Sequence, residues 1–309
     1  MILNTSPLRF QPIPYQGSKR ILAPRICSFF PSRIETFYEP FAGSAAVTLY
    51  SAYHDVAEHY VIGDVCPALI KLWKTIILEP EEASLKYEMI WHEQFEKGAE
   101  HFNTIRTRYN EEGDPVDLLY LIARCVKNAI RFNRHGQFSQ SQDRRRHGMK
   151  PARMRANISF ASSLLKGRVS LFCGDFRDCI ADCSDSDFVY MDPPYQGTTY
   201  GHDKRYAKQL ERDAIVSCLR WLNKRNVPYV LSYDGHTGDK QYGSPLCEEV
   251  DVSHFLISAG VSSQGTLNGK RLETIESLYV PKHLCPDVSD CKVILGEKQK
   301  IDQLDLLLN

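Results

Sequence analysis

The chain has no net charge: its 309 residues carry 38 Lys and Arg against 38 Asp and Glu. A protein that coats nucleic acid indiscriminately needs an overall cationic surface, so that class is excluded. Long apolar runs are also missing. The stretch Leu118 to Ala123 falls far short of the roughly 18 residues that a membrane span needs. The opening "MILNTSPLRFQPIPYQ" has no basic segment leading into an apolar one, the mark of an export signal. A cytoplasmic protein without membrane association is therefore expected. Ten cysteines occur without a C-x-x-C pair, and Cys173, Cys179 and Cys183 lack zinc-finger spacing. The histidines form no ligand pattern either, so reduced thiols and no metal are expected. What remains, 43% hydrophobic and 25% charged residues, is the composition of an ordinary globular protein.

Strand-like and helix-like segments alternate along the chain. "RIETFYEPFAG" reads as a short strand ending at Tyr38 followed by a turn of small residues, and "HYVIGDV" as a second strand ending in Asp64 before the helix-like "CPALIKLWKTII". "RVSLFCGDF" and "SDFVYMDPPY" follow, then a helix from about Lys204 to Lys224 with one-sided apolar spacing, then the strands "VPYVLSYDG" and "LETIESLYV". This alternation predicts a doubly wound α/β sheet. Gly43 and Asp192 lie 149 positions apart (192 − 43), whereas three βα steps of roughly 30 residues would use about 90. The surplus falls between about Glu79 and Arg155, which places an inserted module beside the carboxyl edge of the sheet.

That same stretch is electrically polarised. Glu79 to Asp117 carries eleven acids, while Arg124 to Arg155 carries ten bases (Arg124, Lys127, Arg131, Arg134, Arg144, Arg145, Arg146, Lys150, Arg153, Arg155) against one acid, Asp143. A basic block with Phe132, His135 and Phe138 interleaved suits a surface that follows phosphates.

The chemistry concentrates at strand ends. In "EPFAGSAAV", Gly43 and its small neighbours let backbone approach a ligand closely. Asp64, about twenty residues on, stands where nucleoside-binding sheets place an acceptor for ribose hydroxyls. No G-x-G-x-x-G is present to cradle a pyrophosphate, which favours a nucleoside cofactor without phosphates, such as S-adenosylmethionine. "DFVYMDPPYQG" ends an apolar strand with a carboxylate and two prolines. Prolines leave the ladder, so Asp192 sits at the strand's carboxyl end. An exocyclic amine of a nucleobase is a poor nucleophile until acceptors bind its hydrogens. Asp192 and the Pro193 carbonyl can be those acceptors, stiffened by the proline ring, with Tyr195 stacking on the base.

These segments, in this order, resemble the Dam-type (D12 class) DNA adenine-N6 methyltransferases over most of the chain. "PYQGSKR" is similar to that family's Lys-containing cofactor segment, "YEPFAGSAAV" to its glycine turn, and "IGDVCPALIKLW" to its ribose-acid strand. "CGDFRDCIADCSDSDFVYMDPPY" resembles the run into its catalytic tetrapeptide, and "KRLETIESLYV" its terminal strand. The resemblance implies a Rossmann-like methyltransferase sheet with an inserted, mostly helical DNA-recognition domain. It implies S-adenosylmethionine contacts at Tyr15, Lys19, Glu39, Phe41, Gly43, Asp64, Asp175, Phe176 and Asp192, and a catalytic loop of Asp192, Pro193 and Tyr195. "RCVKNAIRFNRHGQFSQ" resembles the family's DNA-binding stretch, implying Asn128, Arg131, Asn133, Arg134, Gly136 and Phe138 as DNA-facing, with Arg144, Arg145 and Arg146 beyond. Two departures stand out: Ser44 and Ala45 replace further glycines after Gly43, and Ala129 replaces a glycine after Asn128.

The expected organisation is a methyltransferase core at 1–78 and 160–309 around a recognition insert at 79–159. The expected activity is adenine-N6 methylation of double-stranded DNA by a monomer, in a restriction-modification or related system with a cognate restriction endonuclease as candidate partner. Rivals are a same-fold methyltransferase acting on an RNA base, a protein glutamine or amino-cytosine, and a catalytically dead DNA-binding relative. A carbon-5 cytosine enzyme is excluded by the absence of a Pro-Cys dipeptide.

Overall fold

The structure is a computed structural model that describes residues 6–194, 212–237, 240–242, 244–261, 273–285 and 293–295. After a 3-10 turn at Lys19–Ile21 come α1 (Ala23–Cys27), β1 (Ile34–Glu39), α2 (Ala46–Tyr53), β2 (Ala57–Asp64) and α3 (Pro67–Leu78). The helices α4 (Pro80–Lys97), α5 (His101–Glu112), α6 (Pro115–Arg124) and α7 (Pro151–Leu165) follow, then β3 (Val169–Cys173), α8 (Phe176–Cys179) and β4 (Phe188–Met191). The chain continues through α9 (Arg212–Lys224), β5 (Tyr229–Thr237), β6 (Lys240–Tyr242), β7 (Val252–Val261), β8 (Glu273–Pro281) and β9 (Val293–Leu295). The expected helix from Lys204 is described from Arg212 onward; its first residues lie outside the described ones.

The described strands form one sheet in the order β3-β2-β1-β4-β5-β8-β7-β9, with β6 paired to β5 off this line. Neighbours from β3 through β5 run parallel, and β8 runs antiparallel to both β5 and β7. Strand order reverses between β1 and β4, so the carboxyl ends of those two strands flank the crevice where open α/β sheets bind ligands. β4 is buried on both faces: Phe188 and Tyr190 enter one apolar cluster, Val189 and Met191 the other. This alternation is the strand's period of two, and it explains an unbroken apolar run at the centre of a parallel sheet. The prolines that follow end the strand and leave Asp192 at its carboxyl edge.

The stretch 79–159 is mostly helical, and three of its four long helices start on proline (Pro80, Pro115, Pro151), whose missing N–H is harmless in a first turn. Asp114 caps α6 by accepting from Val116 N at 2.9 Å and Asp117 N at 3.1 Å. Apolar residues of these helices, among them Tyr87, Phe102, Leu118 and Ile158, join Trp73, Phe188 and Tyr190 in one cluster. The insert thus shares the core of the sheet, and the expected boundary at 159 falls within α7. Between α6 and α7 the chain folds into a hairpin marked by the bridges Cys125 to Gln142 and Phe132 to Phe138.

Candidate active site

Asp192 continues the alternation of Phe188 and Tyr190, onto the sheet face covered by α1 and α2. There the 3-10 turn after Ser18 delivers Lys19, whose Nζ lies 2.8 Å from Asp192 Oδ1 and 3.5 Å from Glu276 Oε2 on β8. The Lys19 side chain is only 8% exposed, against 20% for Asp192 and 13% for Glu276. Burial pushes the Asp192 carboxyl up to about 6, with Lys19 opposing that rise and Glu276 adding to it. Pro193 is buried beside it and Pro194 half-buried. Tyr195, the third member of the expected loop, lies outside the described residues.

Four carboxylates mark the carboxyl edge: Glu39 at the end of β1, Asp64 at the end of β2, Asp175 just after β3, and Asp192 after β4. They differ in what they do. Glu39 is buried, accepts from Thr48 N at 2.8 Å and Thr48 Oγ1 at 2.5 Å, and is pushed up to about 8 by that burial. Its visible role is to hold the first turns of α2. Asp64 is half-buried; Oδ2 accepts from Gly43 N at 3.1 Å and Oδ1 from Cys66 N at 2.9 Å. Burial raises its pKa while the N–H groups of Cys66, Gly43 and Val65 lower it, and the carboxylate keeps room for a further donor. Asp175 caps α8 through Arg177 N at 3.0 Å and pairs with the Arg177 guanidinium at 2.8 and 2.9 Å.

The turn itself is fixed from three sides. Gly43 has φ +50°, a side chain there would press on the Tyr15 ring at 3.0 Å, and Trp73 Nε1 donates to its carbonyl at 3.0 Å. Ala45 also takes a left-handed φ of +47°, at the place where the family resemblance expects another glycine. Gln11 Nε2 reaches Ser44 O at 2.8 Å, which ties the N-terminal segment bearing Tyr15 and Lys19 to this turn. Phe41 and Phe176 pack ring to ring at 5.0 Å. Tyr15, Lys19, Glu39, Phe41, Gly43, Asp64, Phe176 and Asp192 are thereby brought to one edge. Val65, directly after Asp64, is 63% exposed and was not among the sequence candidates; an apolar residue following a strand-end acid was its only signal. Glu276 was missed as well.

In the insert the basic candidates divide. Arg134, Arg144 and Arg145 are exposed, although Arg145 also forks onto Asp143 at 3.0 and 3.1 Å. Arg146 is turned inward, donating to Asn128 Oδ1 at 3.0 Å and Cys125 O at 2.6 Å, with its Nε 3.2 Å from Asp143 Oδ2. Asn128 in turn donates to Ile122 O at 2.8 Å, and its carbonyl accepts from Gln16 N at 3.3 Å. Asn133 shapes the hairpin tip by accepting from His135 N and Gln137 N at 2.9 and 3.1 Å, with Gly136 at φ +76° between them. Arg131 is half-buried in the same hairpin. Phe138, expected at the DNA surface, is 1% exposed, and its ring lies edge-on to Tyr109 and Phe132. That expectation is corrected: Phe138 is a core residue of the hairpin, and Asn110 fixes its backbone N–H at 2.7 Å.

No group of His, Cys, Asp and Glu able to hold a metal occurs among the described residues, and no helix there is long and apolar enough to cross a membrane. The model of the D12 class N6 adenine-specific DNA methyltransferases matches residues 15–258. The Type II methyltransferase M.FokI of Planomicrobium okeanokoites is 26% identical over 276 residues, covering 87% of this chain but 42% of that protein. The Type II methyltransferase M1.LlaDCHI of Lactococcus lactis subsp. cremoris is 24% identical over 299 residues, 90% of this chain and 99% of its own. The Retron Ec67 DNA adenine methylase of Escherichia coli is 24% identical over 226 residues, 71% of this chain and 75% of its own.

Proposed function

Because the chain belongs to the D12 class N6 adenine-specific DNA methyltransferase family, we propose that it moves a methyl group from S-adenosylmethionine to the exocyclic amine of an adenine turned out of double-stranded DNA. The observation that carries this reading is the placement of Asp192 and Pro193 at the switch point of the sheet, with Lys19 fixing the carboxylate at 2.8 Å.

The residues at that edge fit the cofactor. Asp64 keeps room to accept from a ribose hydroxyl, and exposed Val65 and half-buried Phe41, backed by the buried Phe176, offer apolar surface to an adenine ring. When bound, S-adenosylmethionine supplies a methyl group already activated on sulfonium. The chain's own work is to prepare the acceptor. Asp192 accepts one hydrogen of the amine and the Pro193 carbonyl the other, which withdraws the nitrogen lone pair from the ring and stabilises the positive charge that develops there. Lys19 holds Asp192 in place beforehand, so little orientation remains to be lost during reaction. Removing the base from the duplex costs a few kcal/mol, offset by stacking and by backbone contacts from the insert. Arg134, Arg144 and Arg145, exposed on the hairpin and the loop after it, are the groups we assign to phosphates.

Tyr195 is assigned to stacking on the extruded base, as the tetrapeptide implies. The reading makes the chain a monomeric cytoplasmic modification enzyme, with a cognate restriction endonuclease as partner. The test is transfer of labelled methyl from S-adenosylmethionine to defined duplexes, followed by nucleoside mass spectrometry. N6-methyladenine at a fixed sequence position is expected. Label recovered in cytosine, in RNA or in protein would refute the substrate assignment, and absence of label with intact DNA binding would favour the catalytically dead relative.

A further inference from the structure

We propose that Glu276 is a positioning residue for methyl transfer: placed across Lys19 from Asp192, it shares the ammonium between two carboxylates and so keeps Asp192 an effective acceptor for the amine. The inference rests on the adenine reading above. A lysine closed onto a single aspartate would occupy Oδ1 and drain its charge, leaving a weak hydrogen-bond acceptor. Here one positive charge stands between two negative ones, at 2.8 Å from Asp192 and 3.5 Å from Glu276, and the trio keeps a net negative charge.

The architecture puts Glu276 there at some cost. On β8, Leu278 and Val280 enter the core on the face of α1 and α2, and the period of two carries Glu276 to that same face. Its register partner on β5 is Gly235, where a side chain would strike Ile275 O at 2.5 Å, and the register shifts between Ser232 and Gly235. The extra residue lies on β5, so the alternation of β8 runs unbroken through Leu278 to Glu276. Glu276 Oε2 is buried and makes no hydrogen bond, so its desolvation is compensated chiefly by Lys19. A group that serves stability alone would be better satisfied. The other described ionisable group facing Asp192 is Glu39 on β1, whose carboxyl is held by Thr48. Lys19 favours ionisation of Asp192, while Glu276 and burial oppose it.

The test replaces the charge and keeps the shape. In Glu276→Gln, single-turnover methyl transfer measured against pH should lose about tenfold on its plateau. Its acid limb should move about half to one unit lower, because Lys19 then serves Asp192 alone. Glu276→Asp should move it less, in the same direction. A limb that stays put in both variants overturns the proposal. A second readout needs no turnover: the 13C carboxyl titration of Asp192, assigned by its loss in Asp192→Asn, should shift downward in Glu276→Gln. An unmoved titration overturns the proposal even if the wild-type protein methylates something other than adenine, so the two readings fail separately. Should Glu276→Gln not fold, the Glu276→Asp titration decides on the same terms.

Discussion

The backbone N–H of Gly43 donates to Asp64 Oδ2 at 3.1 Å, which joins the turn after β1 to the acid that ends β2. Asp64 therefore shapes the turn as well as presenting acceptors. Replacing it with Ala should weaken S-adenosylmethionine binding by more than about tenfold, since hydrogen bonds to a charged group are worth roughly 1.5–3 kcal/mol. Titration calorimetry measures this directly. Asp64→Asn, which keeps one acceptor, should lose less, and an unchanged dissociation constant in Asp64→Ala would remove the residue from the site.

Asp192 should set the acid limb of activity. Burial pushes its carboxyl up to about 6, and the protonated, uncharged form is a weaker acceptor for the amine hydrogen it must bind, so transfer rates should fall as pH drops below that value. Rates independent of pH between 5 and 8 would contradict the assigned role.

The same group makes a stability prediction of opposite direction. Its folded pKa, about 6, lies above the ordinary 3.8, so ionisation opposes folding. This contribution is absent below pH 3.8 and develops as pH rises through 6. Asp192→Asn should thus be inactive yet melt at or above the wild-type temperature at pH 8, with the difference vanishing near pH 4. A variant that melts well below wild type at pH 8 would show that the pair with Lys19 dominates.

Arg144 and Arg146 should separate cleanly. Arg144→Ala should weaken DNA binding and lower the salt slope by about one while leaving the melting temperature alone. Arg146→Ala leaves Cys125 O and Asn128 Oδ1 without their donor and should cost about 1–3 kcal/mol of stability. Identical behaviour of the two variants in both assays would contradict the division.

Phe138→Ala should behave as a core truncation, losing about 3–5 kcal/mol, with Phe138→Leu much milder. Chemical denaturation reads it. If Phe138→Ala instead kept full stability and lost only DNA affinity, the ring would belong at the interface after all.

Much of the site was legible because its signals are local. An apolar run that stops at Asp-Pro-Pro announces a central strand and the carboxylate at its end, and Gly43 and Asp64 announce themselves by following strands. What stayed hidden depends on distant partners. Phe138 looks like a nucleic-acid contact among bases, but Tyr109 and Asn110, from a helix nearly thirty residues earlier, cover and fix it. Arg145 and Arg146 read as part of a free charge run, although Asp143, the one acid in that block, engages both. The surplus of residues between Gly43 and Asp192 and the charge runs within it suggested a separate module at 79–159. The residues that merge it with the sheet are spread over four helices and carry no joint pattern. Glu276 was invisible for a similar reason: alternation in "LETIESLYV" puts it on one face with Leu278 and Val280, but its partner Lys19 comes from a turn more than 250 residues earlier.

Trp73 is fully buried with its indole N–H on the Gly43 carbonyl, so the chain carries a native fluorophore wired to the nucleoside end of the crevice. Of the three tryptophans, Trp91 lies against Phe95 and Trp221 beneath Arg225. With Phe at those two positions, emission from Trp73 would follow the glycine turn alone, giving a label-free optical record of ligand arrival with no need to await chemistry.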